Sequence, residues 1–222
     1  GLFWRRRSPQ LEAEDVEQYI RDHNTEQDAE LIGLIRKLNG KGYQSYAVTL
    51  GSFVGLKNKI ERALHHEEGT AEQKEQIGKL VDQLVFHVVD QLEQMAKIEY
   101  RLAAGRKPIP GGHRRPTLTG ERAKELKQAW DDISGRVRRA HTTLEETWHN
   151  IDVLLNPMPA RDVSGNLLDE SIELLRQENR IAEEIRDRFT ADAAARASLP
   201  PEESEEDAAI AATFEHSRGL SD

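Results

Sequence analysis

Cysteine is absent from all 222 residues. That removes disulfides, thiolate catalysis and cysteine-based zinc sites at once. Aromatic residues are scarce at 5%. No apolar run approaches the ~20 residues needed to span a bilayer as a helix. The longest uncharged stretch, YQSYAVTLGSFVGL from Tyr43 to Leu56, is broken by Gln, Ser, Thr and Gly. A secretory signal is not expected either, because Arg5–Arg7 follow the apolar Leu2, Phe3 and Trp4 and no long apolar core comes after them. Two catalytic signatures are also missing. Gly51-x-x-x-Gly55 is not followed by the Gly-Lys-Ser/Thr of a phosphate-binding loop, and no Gly-x-Ser-x-Gly nucleophile motif occurs.

What the chain has in quantity is charge, at 32% of residues. This share suits long exposed helices. The net charge is −9, unevenly placed. In residues 199–222, Glu202, Glu203, Glu205, Glu206, Asp207, Glu215 and Asp222 stand against Arg218 alone, a net of −6 that leaves −3 for the other 198 residues. The acidity therefore belongs mostly to the tail.

The apolar spacing is helical nearly throughout. Ile77, Val81, Leu84, Val88, Gln91, Met95, Ile98 and Leu102 advance in steps of four and three. Leu126, Trp130, Ile133, Val137, Ala140, Leu144, Trp148, Ile151 and Leu155 keep nearly the same rhythm. A third stripe comprises Leu168, Ile172, Leu175, Asn179, Ala182 and Phe189, widened by Leu174, Ile181 and Ile185. Spacings near 3.5 favour shallow, coiled-coil-like crossings. Breaks at Asn39-Gly40, Gly69, Gly105–Pro116, Asn156–Pro159 and Leu199–Pro201 divide the chain. Helices are expected over about 10–39, 43–67, 71–104, 119–156 and 165–198. The first is expected to break near Asn24, and Thr70-Ala-Glu-Gln73 reads as a capping box. The expected fold is an all-α, elongated, mostly antiparallel bundle of about five helices (10–198). A basic and aromatic segment (1–9) precedes it and an acidic tail (199–222) follows. In the second helix, Ala47, Gly51 and Gly55 share one face, which lets a neighbouring backbone approach closely.

Candidate chemistry is thin. Glu145, His149 and Asp152 share a helical face, and Glu146-x-x-His149 has the spacing used by di-iron carboxylate bundles. Those bundles need a second Glu-x-x-His, which the chain lacks. These four residues are the weak metal candidates, and no cofactor is expected. His65 and His66 read as solvent-facing and His87 as a hydrogen-bonded histidine at the core edge. The segment around His141 lacks the Lys-Gly that follows the phosphorylated histidine of phosphotransfer bundles, having Leu144-Glu145 instead.

Three segments carry binding expectations. Leu2, Phe3 and Trp4 beside Arg5, Arg6 and Arg7 suit a membrane interface, with aromatics among the headgroups and cations on the cytoplasmic side. The 105–118 connection carries Arg106, Lys107, His113, Arg114 and Arg115 without an acid. It suits an anionic contact, but its lack of an aromatic residue for base stacking argues against nucleic acid. In the tail, Ser204-Glu-Glu-Asp207 can cap a short Ala-rich helix that docks Ile210 and Phe214. The function expected from this pattern is a non-enzymatic helical scaffold or adaptor. It would act through protein–protein contacts in the cytoplasm, held peripherally at the inner membrane by its first residues. Two other classes fit the same sequence: a regulatory or sensory helical domain of a larger signalling protein, and a metal-dependent helical-bundle enzyme.

Overall fold

The structure is a computed structural model, and it describes residues 28–66, 71–104, 120–156, 167–195 and 201–215. These form an all-α bundle: α1 (Ala29–Gly40), α2 (Gln44–His66), α3 (Ala71–Ala104), α4 (Gly120–Leu155), α5 (Leu167–Ala195) and α6 (Pro201–Phe214). Among the described residues there is no strand.

α3 is the axis of the bundle, packing against α2, α4, α5 and α6. This explains why its buried face exceeds the single stripe read from the sequence. Val85, Val89, Leu92 and Ala96 are buried alongside Ile77, Val81, Leu84, Val88, Met95 and Ile98. A helix enclosed by four neighbours needs apolar residues around most of its circumference. At 34 residues it is about 50 Å long, since an α-helix rises ~1.5 Å per residue.

Pairs of contacting residues fix the helix directions. Lys57 meets Asp82, so α2 and α3 are antiparallel when taken with the approach of Tyr46 to Glu99. α4 and α5 are antiparallel through Asn150–Ser171 and Arg139–Glu178. Helices two apart run parallel: Ser52 meets His141 and Lys59 sits over Trp148 between α2 and α4. Gln73 donates to Asp169 and His87 faces Glu183 between α3 and α5. From α2 to α5, sequential helices therefore alternate in direction.

The turn from α1 to α2 shows local chemistry at work. The Tyr43 amide donates to the Leu38 carbonyl at 2.9 Å. That closure requires a left-handed residue, which is Gly42 at φ +88°. A side chain at Gly42 would be strained by this backbone, although nothing lies within 4 Å of the added carbon. Ala47, Gly51 and Gly55 are all buried in α2, which packs against α1, α3 and α4.

One buried cluster is ionic. Lys57 is buried and bonds Asp28, which lies immediately before α1. It also pairs with Asp82 Oδ1 at 3.1 Å and Glu61 Oε1 at 3.4 Å. Burial pulls the Lys57 pKa down. The hydrogen bond it donates to Asp28 and the charges of Asp82 and Glu61 outweigh it, leaving the ammonium above its ordinary value. The Glu61 carboxyl is raised, chiefly by burial, with Lys57 opposing. This cluster ties the start of α1, the middle of α2 and α3 together.

Candidate functional site: a helix-binding notch at one end of the bundle

A contact between elements distant in sequence lies where α1 turns into α2 and α3 approaches its end. α6 packs there against α1 and α3. Asp207, Ile210 and Phe214 fall at i, i+3 and i+7, one face of a helix. Ile210 and Phe214 are buried on that face. The Phe214 ring meets Tyr43 and Tyr46 edge-on, with centroids 6.0 and 6.2 Å away. Such offset aromatic contacts contribute about 0.5–1.5 kcal/mol beyond area burial.

Polar groups fix the register of this docking. Arg101, in the last turn of α3, pairs with Asp207. Lys37 Nζ, from α1, donates to the Ala212 carbonyl at 2.6 Å. That carbonyl belongs to the last turn of α6, where helix carbonyls have no partner in their own helix and the dipole favours a cation. Thr213 is also buried and donates back to the Ala209 carbonyl at 2.9 Å. The sequence places the helix start later than the structure does. α6 begins at Pro201, so Ser204–Asp207 lie inside its first turns. A proline at the first helical position is preorganised for this.

Behind the aromatic rings is a polar floor. The Tyr46 hydroxyl and the Trp130 indole N–H are buried close to the Glu99 carboxyl, near enough to share its electrostatics but without a hydrogen-bond partner. Burial is the main cause that raises both Glu99 and Tyr46, and the Glu99 charge pushes the phenol up further. Glu99 as a residue stays exposed, at the rim of the site. The notch therefore combines an aromatic wall, a cation at each edge and an acid at its rim.

No protein family, curated protein or solved structure matches this chain. The functional reading rests on the geometry alone.

The structure places the other sequence-derived candidates as follows. Leu2, Phe3, Trp4 and Arg5–Arg7 lie outside the described residues, as do Arg106, Lys107, His113, Arg114 and Arg115. The helix ends flanking the cationic connection, Ala104 and Gly120, belong to the notch end of the bundle, because Arg101 and Trp130 both contribute there. Glu145, Glu146 and His149 are exposed on α4, and Asp152 is half-buried, accepting from Asn156 Nδ2 at 3.1 Å. Among the described residues, no group of three or more His, Asp or Glu side chains is arranged to hold a metal. Glu145 instead pairs one turn back, with its Oε1 3.1 Å from His141 Nδ1. Spacing within one helix could not show that choice. Arg101, Lys37 and Tyr43 carried no sequence signal as site residues, since each looks like an ordinary surface position until α6 is placed on it.

Proposed function

We propose that this chain is a non-enzymatic helical adaptor that works by protein–protein contact, and that the notch is its recognition site. The observation that supports this is the way α6 is held. Two apolar side chains and two charged contacts attach a short helix that has little stability of its own. Burying an Ile and a Phe contributes about 1.5–3 kcal/mol each. The attachment is strong enough to fill the notch and weak enough to open locally. The partner is therefore an amphipathic helix presenting an acid, then Ile three residues on and Phe four beyond that. It lays its apolar face into the notch as α6 does.

This reading makes α6 an internal competitor. If the open form is populated at about 0.1–10%, an external helix binds the intact chain with an affinity reduced by that fraction. The test uses the full chain carrying Ile210→Ser and Phe214→Ala, with a fluorescent peptide spanning residues 200–216. The variant should bind the peptide at least tenfold tighter than the unaltered chain. Equal binding, with helix content unchanged by circular dichroism, would contradict the reading.

Membrane attachment belongs to the same proposal. No described helix is long and apolar enough to cross a membrane, and the contact is assigned to Leu2, Phe3, Trp4 and Arg5–Arg7 at the cytoplasmic face. Removing residues 1–7 should abolish co-sedimentation with phosphatidylserine vesicles at low salt. Unchanged sedimentation would leave no role for the anchor.

A further inference from the structure

A second constellation lies on the seam between α2 and α4, away from the notch and independent of it. Ser52 Oγ is 2.7 Å from His141 Nε2, and His141 Nδ1 is 3.1 Å from Glu145 Oε1. The three residues form a continuous chain from hydroxyl to imidazole to carboxylate. Residues 52 and 141 are brought together because α2 and α4 run parallel beside the axial helix.

The direction of each hydrogen bond follows from chemistry. An ionised carboxylate can only accept, so the His141 nitrogen facing Glu145 carries the proton. In the neutral ring the other nitrogen, Nε2, then presents its lone pair. Ser52 must donate to it. The hydroxyl proton thus already points at a base, and the base is oriented by a third group, which is the arrangement that activates a serine. The ring is steadied on its remaining side by Phe53, whose centroid is 5.3 Å away at an interplanar angle of 88°. The imidazole is neither sealed nor free: the His141 side chain is 31% exposed, and that of Glu145 57%. Ser52 is half-buried at the lip of the seam.

We propose that Ser52 is an activated nucleophile that accepts an acyl or phosphonyl group from an electrophilic donor. With a fluorophosphonate, Ser52 Oγ forms a bond to phosphorus, the P–F bond breaks, and fluoride leaves with its electron pair. The hydroxyl proton passes to His141 Nε2 and from there to solvent. With an activated aryl ester, the same attack forms an acyl-serine and releases the phenol.

The site is one of modification rather than efficient turnover, and the structure says why. Ser52 and His141 sit in the middle of long helices, whose amides are engaged in the helix ladder. A tetrahedral oxyanion there meets no free backbone donors. Removing a single such donor elsewhere costs about 10²–10³ in rate. General-base assistance of about 10²–10⁴ is what remains. His141 is the base, and Glu145 is a positioning residue that acts through it.

The test is mass spectrometry of the full chain after limited exposure to a fluorophosphonate probe. Ser45, exposed and seven residues earlier on the same helix, serves as the internal reference. Ser52 should be labelled at least tenfold faster than Ser45, and Ser52→Ala should abolish that adduct. His141→Gln should bring the Ser52 rate down to that of Ser45. Glu145→Gln keeps an acceptor for the imidazole N–H and should retain most of the rate, whereas Glu145→Leu should lose it at unchanged thermal stability. Equal labelling of Ser52 and Ser45 in the unaltered chain would overturn the proposal, as would an undiminished Ser52 rate in His141→Gln.

Discussion

Lys57→Ala should be among the most destabilising single substitutions in this protein, lowering unfolding stability by about 3–5 kcal/mol, the usual cost of breaking a buried ion pair by removing one partner. For a chain of this size, each kcal/mol shifts the melting temperature by roughly 2–4 °C, so a fall of roughly 6–20 °C is expected by calorimetry. The reason is what stays behind. The Asp28 side chain has no exposed surface, and Asp82 and Glu61 face the same vacated position. Three carboxylates would then share a site with no cation.

Two controls separate this cause from a simple cavity. Lys57→Met combined with Asp28→Asn should recover much of the loss, because the deepest of the stranded charges is gone. Coupling energies for contacting residues run about 0.5–3 kcal/mol. The second control is pH. Glu61 already titrates above its ordinary value because of burial, while Lys57 pulls it down. Without Lys57 its folded pKa rises further above the unfolded one. A raised carboxyl binds more protons folded than unfolded, so its penalty is fully present above the folded pKa. It shrinks as pH falls through that value. The Lys57→Ala deficit should therefore narrow between neutral pH and the carboxyl range. A deficit constant with pH would point to lost packing instead.

Phe53→Ala should be comparably severe, at about 3–5 kcal/mol. Its ring is among the largest fully buried side chains, in a helix enclosed by three others, so the cavity has little freedom to collapse. This substitution also has a second readout. The ring packs against His141, and its loss frees the imidazole to leave Ser52. Fluorophosphonate labelling of Ser52 should slow at temperatures well below melting. Phe53→Leu preserves most of the volume, should cost under about 1.5 kcal/mol, and should keep most of the labelling rate. If Phe53→Ala melts early yet labels normally, the ring supports the bundle without steadying the histidine.

The apolar stripes of α3, α4 and α5 were legible because burial on one or more faces leaves a period that survives in the order of residues. Ile77, Leu84, Leu126, Leu144, Leu168 and Leu175 needed only that rule. The small residues of α2 were legible for a related reason, since a glycine costs a helix about 1 kcal/mol unless close packing compensates. What could not be read is what depends on distant partners. Lys57 sits in a sequence that reads as any amphipathic helix, and only the arrival of Asp28 and Asp82 makes burial tolerable. Asn179 looked like a flaw in an apolar stripe. It donates to the carbonyls of Leu80 and Leu175, at 3.0 and 2.9 Å, and so links α5 to the axial helix. Glu145, His149 and Asp152 do lie along one face as their spacing implies, but that face looks outward. Among the described residues, no second helix supplies further ligands. Ser52 and His141 are 89 positions apart, and no local pattern announces such a pair.

The clasp between the two outermost described helices has a consequence in time. Lys37 and Ala212 are separated by 175 positions, and the aromatic wall and both cations of the notch they frame are present once α3 has been made. A chain synthesised at about 5–20 residues per second adds α6 on the order of 5–20 seconds after Arg101 emerges. During that interval on the ribosome, Tyr43 and Tyr46 face solvent with no helix across them. On the proposed function, an amphipathic partner helix would have its best access then, before α6 arrives to take the place.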